Sequence, residues 1–285
     1  MNVRIVTDSA VYLAPDVARE LGIVVVPHHV RIGDREYVDG VDLGEDEYYH
    51  LSHDYGLEMT CSSPTADEFY RVYDWLKQDV EGIISIHLAE ELSDAVNQAR
   101  QAANMLLGQC NIVVLDSQTI SMGLGILTQA AARAAADNMP LDDIVRVIRG
   151  LIPRIYIVFF SESLDSLERG GRLGHAQALL GTMLGIKPFL TLEEGKIQPM
   201  EKVRTRQEAI EKLIEFVSEF DDISQMAIIK GSASPVQEIP ELIEQLHDEF
   251  PDVEVPVISY GPVLASHVGW DTLGIIVYEN LGFQD

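Results

Sequence analysis

Residues 3–27 read VRIVTDSAVYLAPDVARELGIVVVP, and this stretch decides the fold class. Val3 to Val6 is rich in β-branched residues and reads as a short strand ending in Thr7-Asp8-Ser9. Ala14 to Leu21 follows as a helix, with Pro15 near its first turn and Gly22 closing it. Ile23 to Pro27 is apolar without interruption, the pattern of a parallel strand buried on both faces. Strand, helix and strand in that order predict an α/β architecture. Open α/β sheets bind ligands beyond the carboxyl ends of their strands, so Thr7, Asp8 and Ser9 are candidates to line a site. Helix capping by Asp8 or Ser9 explains the same residues equally well.

The alternation continues outward from there. Gly82 to Ile86 and Asn111 to Leu115 read as further buried strands, and Asp67–Leu76, Asn97–Leu107, Met122–Asp137 and Leu141–Leu151 as helices. Pro153 is the natural boundary, giving domains over 1–153 and 154–285. In the second half, Ile155–Phe160, Phe189–Leu192, Met226–Ile229, Val255–Tyr260 and Gly274–Tyr278 read as strands, with helices over Gln207–Phe220 and Pro240–Phe250. The expectation is a largely parallel first sheet flanked by helices and a mixed or antiparallel second one.

Composition narrows the function. The chain has 285 residues and a formal net charge of −26, with 47% hydrophobic and 23% charged residues, as in ordinary globular proteins. That acidity argues against nucleic acid and anionic membrane surfaces as general partners, leaving at most transient membrane contact. No apolar run reaches the roughly 18 residues of a membrane span. MNVRIVTDS opens as a strand and not as a signal peptide. Cys61 and Cys110 form neither a disulfide framework nor a metal-spacing pattern, so cytoplasmic residence is expected.

Sites for chemistry are few. The acidic run from Gly33 to Glu58 lacks the ligand spacing of a calcium loop and reads as a solvated hairpin, Val30 to Val38, and a short helix. His50 and His53 lie three apart with no third ligand, so no metal is expected. Met59 to Thr65 reads as a polar loop ahead of a helix, an arrangement suited to anions. SMGLG lacks the central serine of a nucleophile elbow, and no HExxH, CxxC or dinucleotide fingerprint occurs. Gly123 and Gly125, at the start of an alanine-rich helix, would let a chain or backbone approach. The silence favours a binding protein over an enzyme.

Ser163 to Arg206 is the one stretch where positive charge wins, with Arg169, Arg172, Lys187, Lys196, Lys202, Arg204 and Arg206. Such an island attracts anions, although an ordinary solvated helix and hairpin would carry the same residues. It contains, in order, GGRLGHAQALLG, GIKP, EGKI and EKVRTR. With TDS at 7–9, DSQTISMGLG at 116–125 and GPVLASHVG at 261–269 followed by LGI, the chain closely resembles the DegV family over essentially its whole length.

The resemblance implies a DegV-like two-domain fold that holds one long-chain fatty acid between the domains. Some members serve as the acyl-carrying subunit of a fatty acid kinase, which would make an ATP-dependent kinase subunit the partner. By position, Cys61, Ser62, Ser93 and His267 become the expected carboxylate ligands. Thr7, Asp8, Ser9, Ser121 and Gly123 are expected near the site, and Arg172, Arg204 and Arg206 at the partner's docking surface. The segment 176–190 would supply part of an apolar tunnel. The family has a threonine where Cys61 stands, a glutamine at Ser63 and a glycine at Asp94. Burying an acyl chain at ~0.8 kcal/mol per CH₂ yields on the order of 10 kcal/mol of gross driving force. The carboxylate needs hydrogen bonds to avoid a cost of several kcal/mol. No metal or cofactor is expected. Two other readings stay open: a binder of another apolar acid or lipid, and an enzyme using Cys61 or Ser93 as nucleophile with His267 as base.

Overall fold

The computed structural model describes residues 3–162 and 186–279. Its first sheet is parallel throughout, in the order β2-β1-β6-β7, from β1 (Val3–Asp8), β2 (Val24–Val26), β6 (Gly82–His87) and β7 (Asn111–Asp116). The near-continuous apolar runs have a direct cause, because successive side chains point to opposite faces and both faces are covered. Ile84 and Ile86 of β6 pack with Leu124, Leu127 and Ala131 of α5 (Met122–Ala136) and Ile144 and Ile148 of α6 (Leu141–Leu151). Their neighbour Ile83 packs instead with Phe69 and Tyr73 of α3 (Ala66–Leu76) and Ala95 and Ala99 of α4 (Ala95–Met105). Thr65 caps α3 and shares a capping box with Glu68.

Between β2 and α3 the chain builds a small antiparallel sheet, β4-β3-β5, from β3 (His29–Ile32), β4 (Arg35–Val38) and β5 (Met59–Ser62). The hairpin is the expected one, turning at Gly33 with φ +56°. The polar loop expected over Met59–Thr65 is a strand in its first four residues, paired with β3 from Ile32↔Met59 to His29↔Ser62. Cross-strand pairing overrides the weak strand propensity of MTCS. The helix α2 (Glu45–His53) buries Tyr48 against this sheet.

The second large sheet is mixed, in the order β10-β9-β8-β13-β11-β12. Its strands are β8 (Ile155–Phe160), β9 (Lys187–Glu193), β10 (Lys196–Val203), β11 (Ile223–Lys230), β12 (Val257–Ser259) and β13 (Leu273–Glu279). All pairs are antiparallel except β11 with β12. Pro199 is tolerated because β10 lies at the edge, beside a bulge. One face carries α7 (Arg206–Val217) and α8 (Ile239–Glu249) through Leu213, Val217, Leu242 and Leu246.

The other face looks at the first half of the chain. Ile157, Phe159, Leu190, Ile229 and Ile276 pack against Leu88, Ala89, Leu92 and Ile120 in one core cluster. The same cluster takes in α9 (Pro262–Val268), a seven-residue helix that was not expected from the sequence. Pro262 starts it and Gly269, at φ +85°, stops it. This helix packs on β5 and α2, so it links the two halves.

Candidate functional site

Cys61 and Ser62 from β5, Ser93 just ahead of α4, and His267 from α9 line one cavity of about 250 Å³. His28, Ser63, Leu92, Asp94 and Val263 complete its wall. Four residues scattered over more than two hundred positions of sequence thus share one pocket. Each is held by its element. Cys61 donates through its thiol to the Pro262 carbonyl, 3.4 Å away. Ser93 Oγ accepts the Ala95 N–H at 3.3 Å and lies 3.4 Å from His28 Nε2. Asp94 turns its carboxylate toward α4, where Asn97 and Gln98 donate to it at 3.2 and 2.6 Å. Its charge is therefore tied into hydrogen bonds along the helix and away from Ser93.

Behind this pocket runs an apolar seam. Leu92 is common to both, and α9 gives Val263 to the pocket and Leu264 to the seam. Ile120, Ile157, Phe159, Leu192, Ile197, Ile229 and Val268 form most of the rest, with Thr272 the one polar residue type, and these walls nearly touch and leave about 20 Å³. A polar mouth backed by an apolar cleft, with the second sheet on one side and Leu92, Ile120 and α9 on the other, suits a molecule with one anionic end and a long hydrocarbon body.

The sequence profile described as "Uncharacterised protein, DegV family" matches residues 2–280. The chain belongs to the DegV family. A DegV domain-containing protein of Listeria monocytogenes is 33% identical over 283 residues, covering 96% of this chain and 97% of its own. A solved structure described as fatty acid binding of a DegV family protein from Thermus thermophilus superposes with a TM-score of 0.88 at 29% identity, covering 98% of this chain and 100% of that one. DegV of Bacillus subtilis, described as a fatty acid binding protein, gives a TM-score of 0.88 at 27% identity, with 98% and 100% covered.

Around the DegV pocket, the remaining expected residues divide. Ser9 and Ser121 line a separate, larger cavity of about 780 Å³ that also meets Asp39, Tyr48 and Val263. Ser121 holds φ +57° and its buried hydroxyl has no hydrogen-bond partner. Thr7 and Asp8 are fully buried in the sheet. Gly123 serves packing, because a Cβ there would lie 2.3 Å from Thr119 Oγ1 and 2.9 Å from Ile155. Arg206, expected at a docking surface, is instead tied inward. It bonds Glu162 at 2.8 Å, Glu238 at 3.1 Å and Ser234 at 3.2 Å, and lies over the Phe160 ring. Arg204 is exposed. Arg172 and the tunnel segment 176–185 lie outside the described residues.

Electrostatics separate the thiol from the carboxylates. Burial pushes the Cys61 thiol up to about 12, with the Ser266 hydrogen bond opposing and Asp39 adding to the shift. Asp8 is held below its ordinary range even though burial alone would raise it. The hydrogen bond from His87, the two neighbouring imidazoles and the Leu88 N–H together prevail. Asp39 is raised to about 6, chiefly by burial and also by Asp8, against the Ser9 hydrogen bond. His28 and Asp39 were missed in the sequence. The only signal was the His28-His29 pair directly after the apolar run Ile23–Pro27.

Proposed function

We propose that this DegV protein binds one long-chain fatty acid, with its carboxylate at Cys61, Ser62, Ser93 and His267 and its acyl chain along the seam. The observation that carries this reading is the shared wall at Leu92, which lines both the polar pocket and a cleft with apolar walls. The descriptions of the Thermus and Bacillus relatives as fatty acid binding support it. The acyl chain parts the seam walls, and burial of its methylenes against them offsets the cost of their separation. In this reading the site falls between segments 1–153 and 154–285, and no cofactor beyond the lipid is required.

The carboxylate lies at the polar mouth, where an ATP-dependent kinase subunit can reach it for acyl-phosphate formation. Exposed Arg204, together with Arg172, is the cation set proposed to meet that partner; Arg206 is withdrawn from it by its ion pairs. Two unpaired cysteines suit a reducing compartment, so we place the protein in the cytoplasm. The enzyme reading through Cys61 is disfavoured, because a thiol pushed up to about 12 is not ionised at neutral pH.

Thermal unfolding of delipidated protein with added myristate tests the assignment. At a hundredfold excess over Kd the ligand adds ~2.7 kcal/mol of stability. Ser93→Ala and the seam-filling Ile229→Trp should each remove most of that gain. A gain unchanged by both substitutions would place the lipid elsewhere.

A further inference from the structure

His28 stands directly behind Ser93, and the hydrogen bonds around it fix where its proton lies. Its side chain is 2% exposed. Ser9 has a single hydroxyl proton and donates it to Asp39 Oδ2 at 2.7 Å, while its oxygen accepts the His28 backbone N–H at 2.9 Å. The 3.3 Å contact between Ser9 Oγ and His28 Nδ1 therefore requires the proton on Nδ1. Asp8 Oδ1, 3.7 Å from the same nitrogen, favours it there as well.

Asp8 ends a second chain that also runs in one direction only. Tyr73 donates to Ser85 at 2.7 Å, so Ser85 donates to His87 Nε2 at 2.7 Å, and His87 donates from Nδ1 to Asp8 at 3.0 Å. Backbone N–H groups of Ala10 and Leu88 add two further donors at 3.0 Å. Asp8 is thus a stable buried anion. Burial, opposed by the Asp8 charge, holds the free His28 ring below its usual range. Neutral His28 then presents a bare Nε2, and Ser93 Oγ faces it at 3.4 Å.

The one proton of Ser93 is therefore committed to His28. A carboxylate arriving at Ser93 needs that same proton. Turning it outward leaves two lone pairs, Nε2 and Ser93 Oγ, facing each other in a buried place, which is costly. A proton on Nε2 removes the conflict. The imidazolium donates to Ser93, Ser93 donates to the carboxylate, and the Asp8 anion balances the charge from the other side.

Resting on the fatty acid reading above, we propose that binding of the carboxylate draws one proton from solvent onto Nε2 of His28. Head-group affinity accordingly rises as pH falls. The acid stays ionised, the only bond formed is Nε2–H with the proton given up by a buffer acid, and the added proton cancels the added charge. Titratable neighbours come from every side: Asp8 on β1, His29 on β3, Asp39 after β4 through Ser9, and His87 on β6. Cys61, Asp94 and His267 share the pocket with it.

Calorimetric titration of delipidated protein with sodium myristate, in buffers of different ionisation enthalpy, tests this at and above neutral pH. The expected result is uptake of about one proton per bound acid, and an affinity that falls about tenfold per pH unit. His28→Gln should bind myristate with the buffer dependence gone, and His267→Gln should bind more weakly with it retained. In wild-type protein the His28 ring carbon shifts should move to imidazolium values on binding, a readout that does not depend on a folded variant. Equal heats in all buffers would overturn the proposal and leave the fatty acid reading standing. Absence of binding in any buffer would overturn both. Uptake that survives His28→Gln would assign the proton to another group and overturn it.

Discussion

The Cys61 thiol on β5 donates to the carbonyl of Pro262, the first residue of α9, at 3.4 Å and 201 residues away in sequence. It ties the wall that holds the pocket's polar groups to the helix that supplies both Val263 and Leu264. The bond also defines the thiol's chemistry, since a donor buried against a carbonyl has no reason to ionise. Iodoacetamide at pH 8 should label Cys61 on the order of a hundredfold more slowly than a free thiol. Rapid labelling that follows a pKa near neutrality would contradict the burial described here. Cys61→Thr places the stronger hydroxyl donor in the same pocket and should tighten fatty acid binding severalfold, read by calorimetry.

Arg206 and Arg204, two residues apart, should behave oppositely. Arg206→Ala removes the cation shared by Glu238 and Glu162, of which only Glu162 keeps another in Lys187, and about 1–2 kcal/mol of stability should be lost in urea unfolding. Arg204→Ala removes an exposed side chain and should cost less than ~0.5 kcal/mol. If Arg204 meets a kinase subunit, its loss should appear in that complex and not in the stability of the free protein.

Asp39 gives stability a pH dependence of known sign. Its carboxyl is raised from 3.8 to about 6, so folding favours the protonated form. That contribution is complete below 3.8 and is lost as pH rises through 6. Asp39→Asn should therefore unfold at nearly the wild-type temperature at pH 4. At pH 7.5 it should be more stable, by on the order of 2 kcal/mol. A difference between variant and wild type that does not change with pH would contradict the burial of this carboxylate.

Gly231 packs where no side chain fits. A Cβ would stand 2.0 Å from the Trp270 carbonyl oxygen and 2.5 Å from Tyr260 Oη. The Trp270 carbonyl accepts the Ala233 N–H, and Tyr260 donates to Gly269 at 2.6 Å, so neither is free to move. Gly231→Ala should cost about 3 kcal/mol by denaturant unfolding.

These residues also mark what sequence could and could not convey. The parallel sheet was legible because Val3–Val6, Ile23–Pro27 and Gly82–Ile86 are short, mostly β-branched and apolar runs, interrupted only by Arg4 and Ser85 and spaced by helical segments. β5 was not, because Met59–Ser62 becomes a strand only through its pairing with β3. Nor was α9, whose seven residues lie between Gly261 and Gly269 and gain their stability from contacts with the other half of the chain. Cys61, Ser62, Ser93 and His267 were proposed through the resemblance, and the structure brings them to one cavity. Position in the motif revealed nothing about partners, however. Arg206 is indistinguishable from Arg204 in sequence, and only Glu162 and Glu238 make it structural. Asp8 was picked out for its place at a strand end and proves to be the hub of a buried network reaching His28 and His87.

The central claim is that the pocket and seam together hold a fatty acid. Denaturing extraction of freshly purified protein, followed by lipid mass spectrometry, tests it most directly. The account predicts about one free long-chain fatty acid per chain, lost from the Ile229→Trp variant. Recovery of no acid, together with no stabilisation when acids are added back, would contradict it.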